Sequence, residues 1–246
     1  LAAGFLRPGQ SDDIIDGILA QGFAELKNSN PDYYPEVFII MGNDDPRIDE
    51  KLLLDYDEQG LWHYINQKHY KFKDMDVFGY CYVPPTPFLL KDWERYDVSR
   101  FVDVGCVAPE EGQHTTSYSL SEVEHRTIWE DLLELTDGFD LSKAILLFHA
   151  PPYQTGLDRA ALDGKMVDHV PLDVHVGSIA IKRFIEEKQP LITLHGHIHE
   201  SFSITGVWKE QIANTTCLSA AGIGKPLTLV KFDPDNPTAA TRLELL

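Results

Sequence analysis

The chain has 246 residues, 43% of them hydrophobic, and 39 acidic side chains against 21 basic ones give it a formal net charge of -18. That length and apolar content suffice for one substantial core, and the charge excludes a protein that holds nucleic acid chiefly by neutralising phosphates. Cys81, Cys106 and Cys217 are odd in number and lack C-x-x-C spacing, which speaks against a disulfide framework and for a cytoplasmic setting; no secretory leader is visible and no apolar run approaches the ~20 residues of a membrane span.

Taken in chain order, residues 1 to 10 read as loop, and Ser11-Asp12-Asp13 as a helix start. Ile14, Ile15, Ile18, Leu19, Phe23 and Leu26 then form a helical apolar face. After a break at 28–35, VFIIM (37–41) is an uninterrupted apolar run, as expected of a buried parallel strand. Residues 47 to 67 read as helix. The alternation of aromatic and β-branched residues over 70–83 predicts a β-hairpin. PPTPF (84–88) is rigid loop, and 89–120, rich in charge, Pro, Gly and Ser, reads as a mobile surface loop. A helix is predicted over 121–135, a buried strand over AILLF (144–148), a helix over 178–188 and a strand over 191–194. Beyond residue 203 the stretches SITGVW, TTCLS, LTLVKF and TRLELL predict an antiparallel β tail. The sum is an α/β domain with a mixed sheet, built as two packed sheets with helices outside.

Three of the predicted strands end in the same kind of punctuation. VFIIM runs into Gly42-Asn43-Asp44-Asp45, AILLF into His149-Ala150-Pro151-Pro152, and LITL into His195-Gly196-His197-Ile198-His199. Alternate side chains of a strand share one face, and imidazole is the commonest metal ligand. Ligands of open α/β sheets bind at the carboxyl ends of strands. Side by side, these ends would gather Asn43, Asp44, His149, His197 and His199 around one cleft.

With these motifs the chain resembles the calcineurin-like metallophosphoesterases, of the small prokaryotic type. That family carries in order D-x-H, G-D, G-N-H-[DE], an H-x-P-P type segment and G-H-x-H. This chain has GNDD at 42–45, FHAPP at 148–152 and GHIH at 196–199, with HVGS at 175–178 upstream of GHIHES. The resemblance spans nearly the whole chain as one domain, 1–246. It implies a four-layer α-β-β-α sandwich with mixed sheets and a metal-dependent phosphoesterase that uses two divalent ions (Mn, Fe or Zn). Its substrate would be a small phosphodiester or activated phosphate ester. It further implies Asn43, His149 and His197 as ligands of one ion, His199 as a ligand of the other, and Asp44 in the place of the family's leaving-group histidine. His195, outside the ligand pattern, takes a supporting role.

Two departures bear on that reading. D-x-H and G-D do not occur upstream of GNDD, and LAAG at the start reads like sequence that follows a G-D motif, so a first β-α-β unit is expected before Leu1. Asp44 stands where the family has His, and a carboxyl of ordinary pKa near ~4 is ionised at neutral pH. It would donate a proton only if its pKa were raised. His175, just before a helix start, is a candidate substrate contact; Tyr153 and Asp158 are candidates for the cleft wall. His114 reads as solvated, and Tyr80, Tyr82 and Phe88 as core. The alternatives are a non-catalytic scaffold of the same fold, a different metal hydrolase and a mononuclear metal module; a homo-oligomer is compatible with any of them.

Overall fold

The computed structural model describes residues 14–224 and 227–245; the predicted helix start at Ser11-Asp12-Asp13 and the LAAG segment lie outside them. A six-stranded mixed sheet carries the fold. Its strands are β3 (Lys68–Phe72), β4 (Met75–Tyr80), β5 (Ala144–Phe148), β8 (Ile192–His195), β9 (Lys209–Ile212) and β10 (Thr215–Ser219), in the order β3-β4-β5-β8-β10-β9. The central strands β4, β5, β8 and β10 run parallel, and β3 and β9 close the two edges antiparallel. Three two-stranded sheets stand beside it: β1 (Phe38–Ile39) with β2 (His63–Tyr64), β6 (Met166–Val167) with β7 (Val170–Pro171), and β11 (Leu227–Lys231) with β12 (Thr241–Leu245).

The predicted α/β class, the 70–83 hairpin and the strands of AILLF, LITL and TTCLS all appear. The antiparallel reading of the tail holds for β9–β10 and β11–β12, but β10 also pairs parallel with β8. VFIIM contributes only Phe38 and Ile39 as strand, because its one ladder partner among the described residues is two residues long. The helix read over 47–67 stops earlier. A 3-10 turn at Arg47–Asp49 leads into α2 (Glu50–Glu58), and Gly60 at φ 70 then turns the chain back into β2. Within the 203–208 stretch the first residues are helical, in α6 (Ser201–Thr205), ended by Gly206 at φ 71. A helix-terminating glycine so placed is the usual left-handed stop.

The first helical segment is a π-helix, Ile15–Ala20, continued by α1 (Gln21–Ser29). Its expected apolar face is only partly used: Ile15 is buried, whereas Ile18 is 64% exposed. The helix predicted over 121–135 is two, α3 (Leu120–His125) and α4 (Ile128–Leu135). Thr127 between them receives the Glu130 N–H and returns its own N–H to the Glu130 carboxylate, a capping box that starts a new helix. Helix α5 (Ile179–Lys188) is capped by the Ser178 side chain.

The 89–120 segment is only in part the surface loop expected: Phe101, Val104 and Leu120 are exposed, but the stretch 91–96 is not. Lys91, Asp92, Trp93, Glu94, Arg95 and Tyr96 are all buried. Their charges are satisfied internally: Lys91 Nζ meets Glu94 at 2.5 Å and the Thr86 carbonyl at 2.8 Å, and Arg95 pairs with Asp131. One residue on from Tyr96, Asp97 accepts from Ser178 Oγ and from the N–H groups of Ile179 and Ala180, placing a carboxylate on the first turn of α5. Composition misled here because buried charge and solvated charge look alike in sequence. The core around this segment holds Trp62, Phe78, Tyr80, Tyr82, Trp93, Phe148 and Phe184; Phe88, expected there, is 59% exposed.

Candidate metal centre

The carboxyl ends of β5 and β8 are neighbours, since the two strands pair in parallel up to Leu147 and Leu194. His149 directly follows β5, with its N–H on the Tyr80 carbonyl at 3.1 Å, and its carbonyl receives the Gly196 N–H at 3.0 Å. Gly196 and His197 directly follow β8. The chain then folds into a three-residue turn in which Ile198 N–H bonds the Gly196 carbonyl at 2.9 Å, and His197 at its apex has φ 67. A non-glycine residue in that conformation is strained, by about 1–3 kcal/mol, and such strain clusters at functional sites. The turn swings the His197 ring to 5.1 Å from the His149 ring, centroid to centroid.

Between the two rings lies Asn43. Its Oδ1 is 2.9 Å from His149 Nε2 and 2.8 Å from His197 Nδ1. The amide is oriented by its neighbour: Asn43 Nδ2 donates to Asp44 Oδ1 at 3.0 Å, so the oxygen faces the imidazoles. Gly42 is there for a steric reason. A Cβ at this position would stand 2.7 Å from His149 Cε1 and 2.9 Å from Nε2, so the backbone at 42 forms the wall against which the ring rests. Asp45 closes the turn by accepting the Gly42 N–H at 2.7 Å, and burial pushes its carboxyl up to about 6.

The electrostatics favour neutral rings. Burial and the nearby His197 and His199 hold His149 well below the usual histidine range. Burial, then His199, brings His197 down to about 4. Neutral imidazoles keep a lone pair for a metal ion, the form in which histidine ligates. Burial raises the Asp44 carboxyl, against the opposing pull of His199. His199 is thus within electrostatic range of Asp44, His149 and His197.

His195 lies behind the cluster, and its hydrogen bonds go to partners other than Asn43, His149 and His197. It is 5% exposed, its Nδ1–H meets the Ala150 carbonyl at 2.9 Å, its Nε2 accepts from Thr193 Oγ1 at 2.8 Å, and its ring stacks on Phe148. Both ring nitrogens are committed to protein partners. His175 is bound to Asp158, Nδ1 to Oδ1 at 2.7 Å, and is not joined to the Asn43 cluster by any bond. Asp158 is fully buried and also accepts from the N–H groups of Gln154, Thr155 and Gly177, so it knots the loop after His149 to the approach of α5. Tyr153 donates its hydroxyl to Asp173 at 2.6 Å. His114 is not solvated: its side chain is 5% exposed, bonded to the Pro109 carbonyl and packed on Tyr118 at 3.9 Å.

The donor set fits a metal ion in its spacing. Bonds of about 2.0–2.2 Å from an ion to nitrogen or oxygen place adjacent ligands roughly 3 Å apart, and the Asn43–His149 and Asn43–His197 separations are of that size. One amide oxygen and two imidazole nitrogens therefore suit one ion. Among the described residues, no three His, Cys, Asp or Glu side chains form a metal-holding group by themselves.

No family model matches the chain. Among curated proteins it is 31% identical over 117 residues to an uncharacterized protein, MJ1162, of Methanocaldococcus jannaschii. The alignment covers 46% of this chain and 46% of that protein, so the chain spans about half the length of the curated relative it matches. One solved crystal structure superposes on 98% of this chain and 78% of its own, with a TM-score of 0.55 at 15% identity. Another, TT1561 of Thermus thermophilus, covers 92% and 78% with a TM-score of 0.47 at 13% identity. The first likeness is one of fold. Among the described residues, no helix is long and apolar enough to cross a membrane.

Proposed function

We propose that this chain is a metal-dependent phosphoesterase of the calcineurin-like metallophosphoesterase family, with that family's four-layer α-β-β-α arrangement, acting on a small phosphodiester or activated phosphate ester. The observation that carries the reading is the convergence of Asn43 Oδ1, His149 Nε2 and His197 Nδ1 from three different strand ends. These three residues would hold one divalent ion, and His199 would serve a second. When bound, manganese, iron or zinc would supply an activated water and neutralise phosphate charge in the transition state.

The chain's own residues have definable parts in this. Gly42 and His195 fix the position of the ligand set, one by giving the His149 ring room and the other by bracing the loop at Ala150. Asp44 aims the Asn43 carbonyl. Burial raises its carboxyl in the metal-free chain, the positive charge of a bound ion would lower it again, and as a proton donor it is weaker than an imidazole, which favours esters with good leaving groups.

The test is hydrolysis of bis-p-nitrophenyl phosphate by the complete gene product, with and without manganese, beside His197→Ala and His199→Ala. Turnover that requires metal and is lost in both variants supports the proposal. A second reading, a non-catalytic binding protein of the same fold, is favoured by the want of a three-residue His/Cys/Asp/Glu group among the described residues; metal binding without turnover would select it.

A further inference from the structure

A cavity of about 240 Å³ is lined by Arg47, Tyr82, Asp92, Arg95, His114 and Tyr118, among others. Two of its lining residues follow closely in sequence on segments that carry or hold the metal-ligand candidates. Arg47 is four residues beyond Asn43 on the same segment. Tyr82 is two residues beyond Tyr80, whose carbonyl holds the His149 N–H. The Cys81 thiol, one residue before Tyr82, is pushed well up by burial and by Glu50, against the opposing charges of Arg47 and Arg95.

Most charges around this cavity are already matched. Lys91 is closed on Glu94, and Arg95 on Asp131 and Glu122. The Asp92 carboxylate accepts from the N–H groups of Arg47 and Thr115 and from the Thr115 hydroxyl. Arg47 is the exception. Among the described residues its guanidinium makes one hydrogen bond, Nη2 to the Tyr82 hydroxyl at 3.1 Å, and a long ion pair with Glu50 at 3.6 Å. A guanidinium has five N–H donors in a rigid fork, so most of them are not taken up by the described residues. Its Cζ lies over the Trp93 ring, 4.6 Å from the centroid, which restrains the group by a cation–π contact. The Tyr82 ring is held in turn by Arg95, 4.2 Å away over its face. Having accepted from Arg47, the Tyr82 hydroxyl still has its own proton to donate.

A restrained, partly buried guanidinium beside a hydroxyl donor is the geometry that takes a carboxylate or phosphate. The volume falls below the ~300 Å³ of the smallest drug-sized pockets, so it suits a small group and not a whole nucleoside. We infer that this cavity binds a second oxyanion, carboxylate or phosphate, of the molecule on which the metal centre acts, with Arg47 and Tyr82 as its recognition pair. That the oxyanion belongs to the metal centre's substrate rests on the proposed phosphoesterase function; the oxyanion site itself does not.

The experiment is calorimetric titration of the chelator-treated complete gene product with inorganic phosphate and, separately, with succinate, which tells a phosphate site from a carboxylate site. Wild type and His197→Ala should bind one of the two equally well. Arg47→Gln should bind it at least tenfold more weakly, and Tyr82→Phe, which keeps the core packing, severalfold more weakly. That pattern upholds the site even if bis-p-nitrophenyl phosphate is not turned over. Wild-type binding by both Arg47→Gln and Tyr82→Phe, or loss of binding in His197→Ala alone, overturns it even if turnover is found. In the active enzyme, Arg47→Gln should raise KM at least tenfold for a p-nitrophenyl phosphodiester bearing a carboxylate and leave bis-p-nitrophenyl phosphate unaffected. An equal KM change for both esters would likewise count against the site.

Discussion

Replacing Gly42 by Ala tests the geometry of the candidate centre with a single methyl group. The new carbon would stand 2.7 Å from His149 Cε1, 2.9 Å from Nε2 and 3.2 Å from Nδ1. Unstrained carbon contacts lie at about 3.5–4.0 Å, so the imidazole must retreat by about 1 Å. It cannot retreat freely, because His149 is buried and its Nε2 is 2.9 Å from Asn43 Oδ1. Overpacking of this kind costs about 1–3 kcal/mol. At roughly 2–4 °C per kcal/mol for a chain of this size, the melting temperature should fall by about 2–12 °C. Manganese or zinc affinity should fall by at least the ~10–100-fold seen when the support of a ligand is disturbed. Calorimetric metal titration and thermal melts of the complete gene product measure both. Gly22→Ala is the control: nothing lies within 4 Å of its added Cβ, it sits inside α1, and it should gain up to about 1 kcal/mol. Wild-type melting and wild-type metal affinity in Gly42→Ala would refute the placement of His149 against residue 42, and with it the ligand set.

Two further outcomes follow from the surroundings of the centre. Asp158→Ala removes the acceptor for three backbone N–H groups and the His175 ring; at about 1–3 kcal/mol for each donor left buried without a partner, the loss should reach about 3 kcal/mol or more in urea unfolding, and a loss below about 1 kcal/mol would show that the carboxylate is not the knot described. His195, brought down to about 4 by burial, contributes stability that is fully present above the unfolded-state value near 6.5 and is lost as pH falls towards 4. In chelator-treated protein that loss is on the order of 3 kcal/mol, and His195→Gln should flatten the decline between pH 6.5 and 4 by that amount; equal slopes in variant and wild type would contradict the buried, neutral ring.

Fold and site were legible to different depths. The central strands were readable because a strand buried on both faces must be a short unbroken apolar run, as in Ala144–Phe148 and Ile192–His195. The hairpin of β3 and β4 was readable from alternation. What failed was the reading of charge. Lys91-Asp92-Trp93-Glu94-Arg95 has the composition of a solvated loop, yet each residue is buried, and its partners include residues distant in sequence, such as Asp131 for Arg95. His114 was misread for the same reason. Strand length was misjudged at Val37–Met41, because ladder partners and not apolarity decide where a strand ends.

The sequence by itself determined the chemistry available at three strand ends: Asn43 after one apolar run, His149 after the second, His195, His197 and His199 after the third. It also supplied the small residue, Gly42, against which the His149 ring rests, although nothing in its spacing says what must fit against it. Only the tertiary structure decided which of those side chains meet. Parallel pairing of β5 with β8 brings His149 beside the Gly196 turn, and the strained φ of His197 aims its ring at Asn43, while His195, two residues earlier on the strand, is turned inward to Ala150 and Thr193. The physical reason is that residue type and local period are written along the chain, whereas the register of one strand end against another, and the burial that keeps these imidazoles neutral, exist only once distant segments have packed.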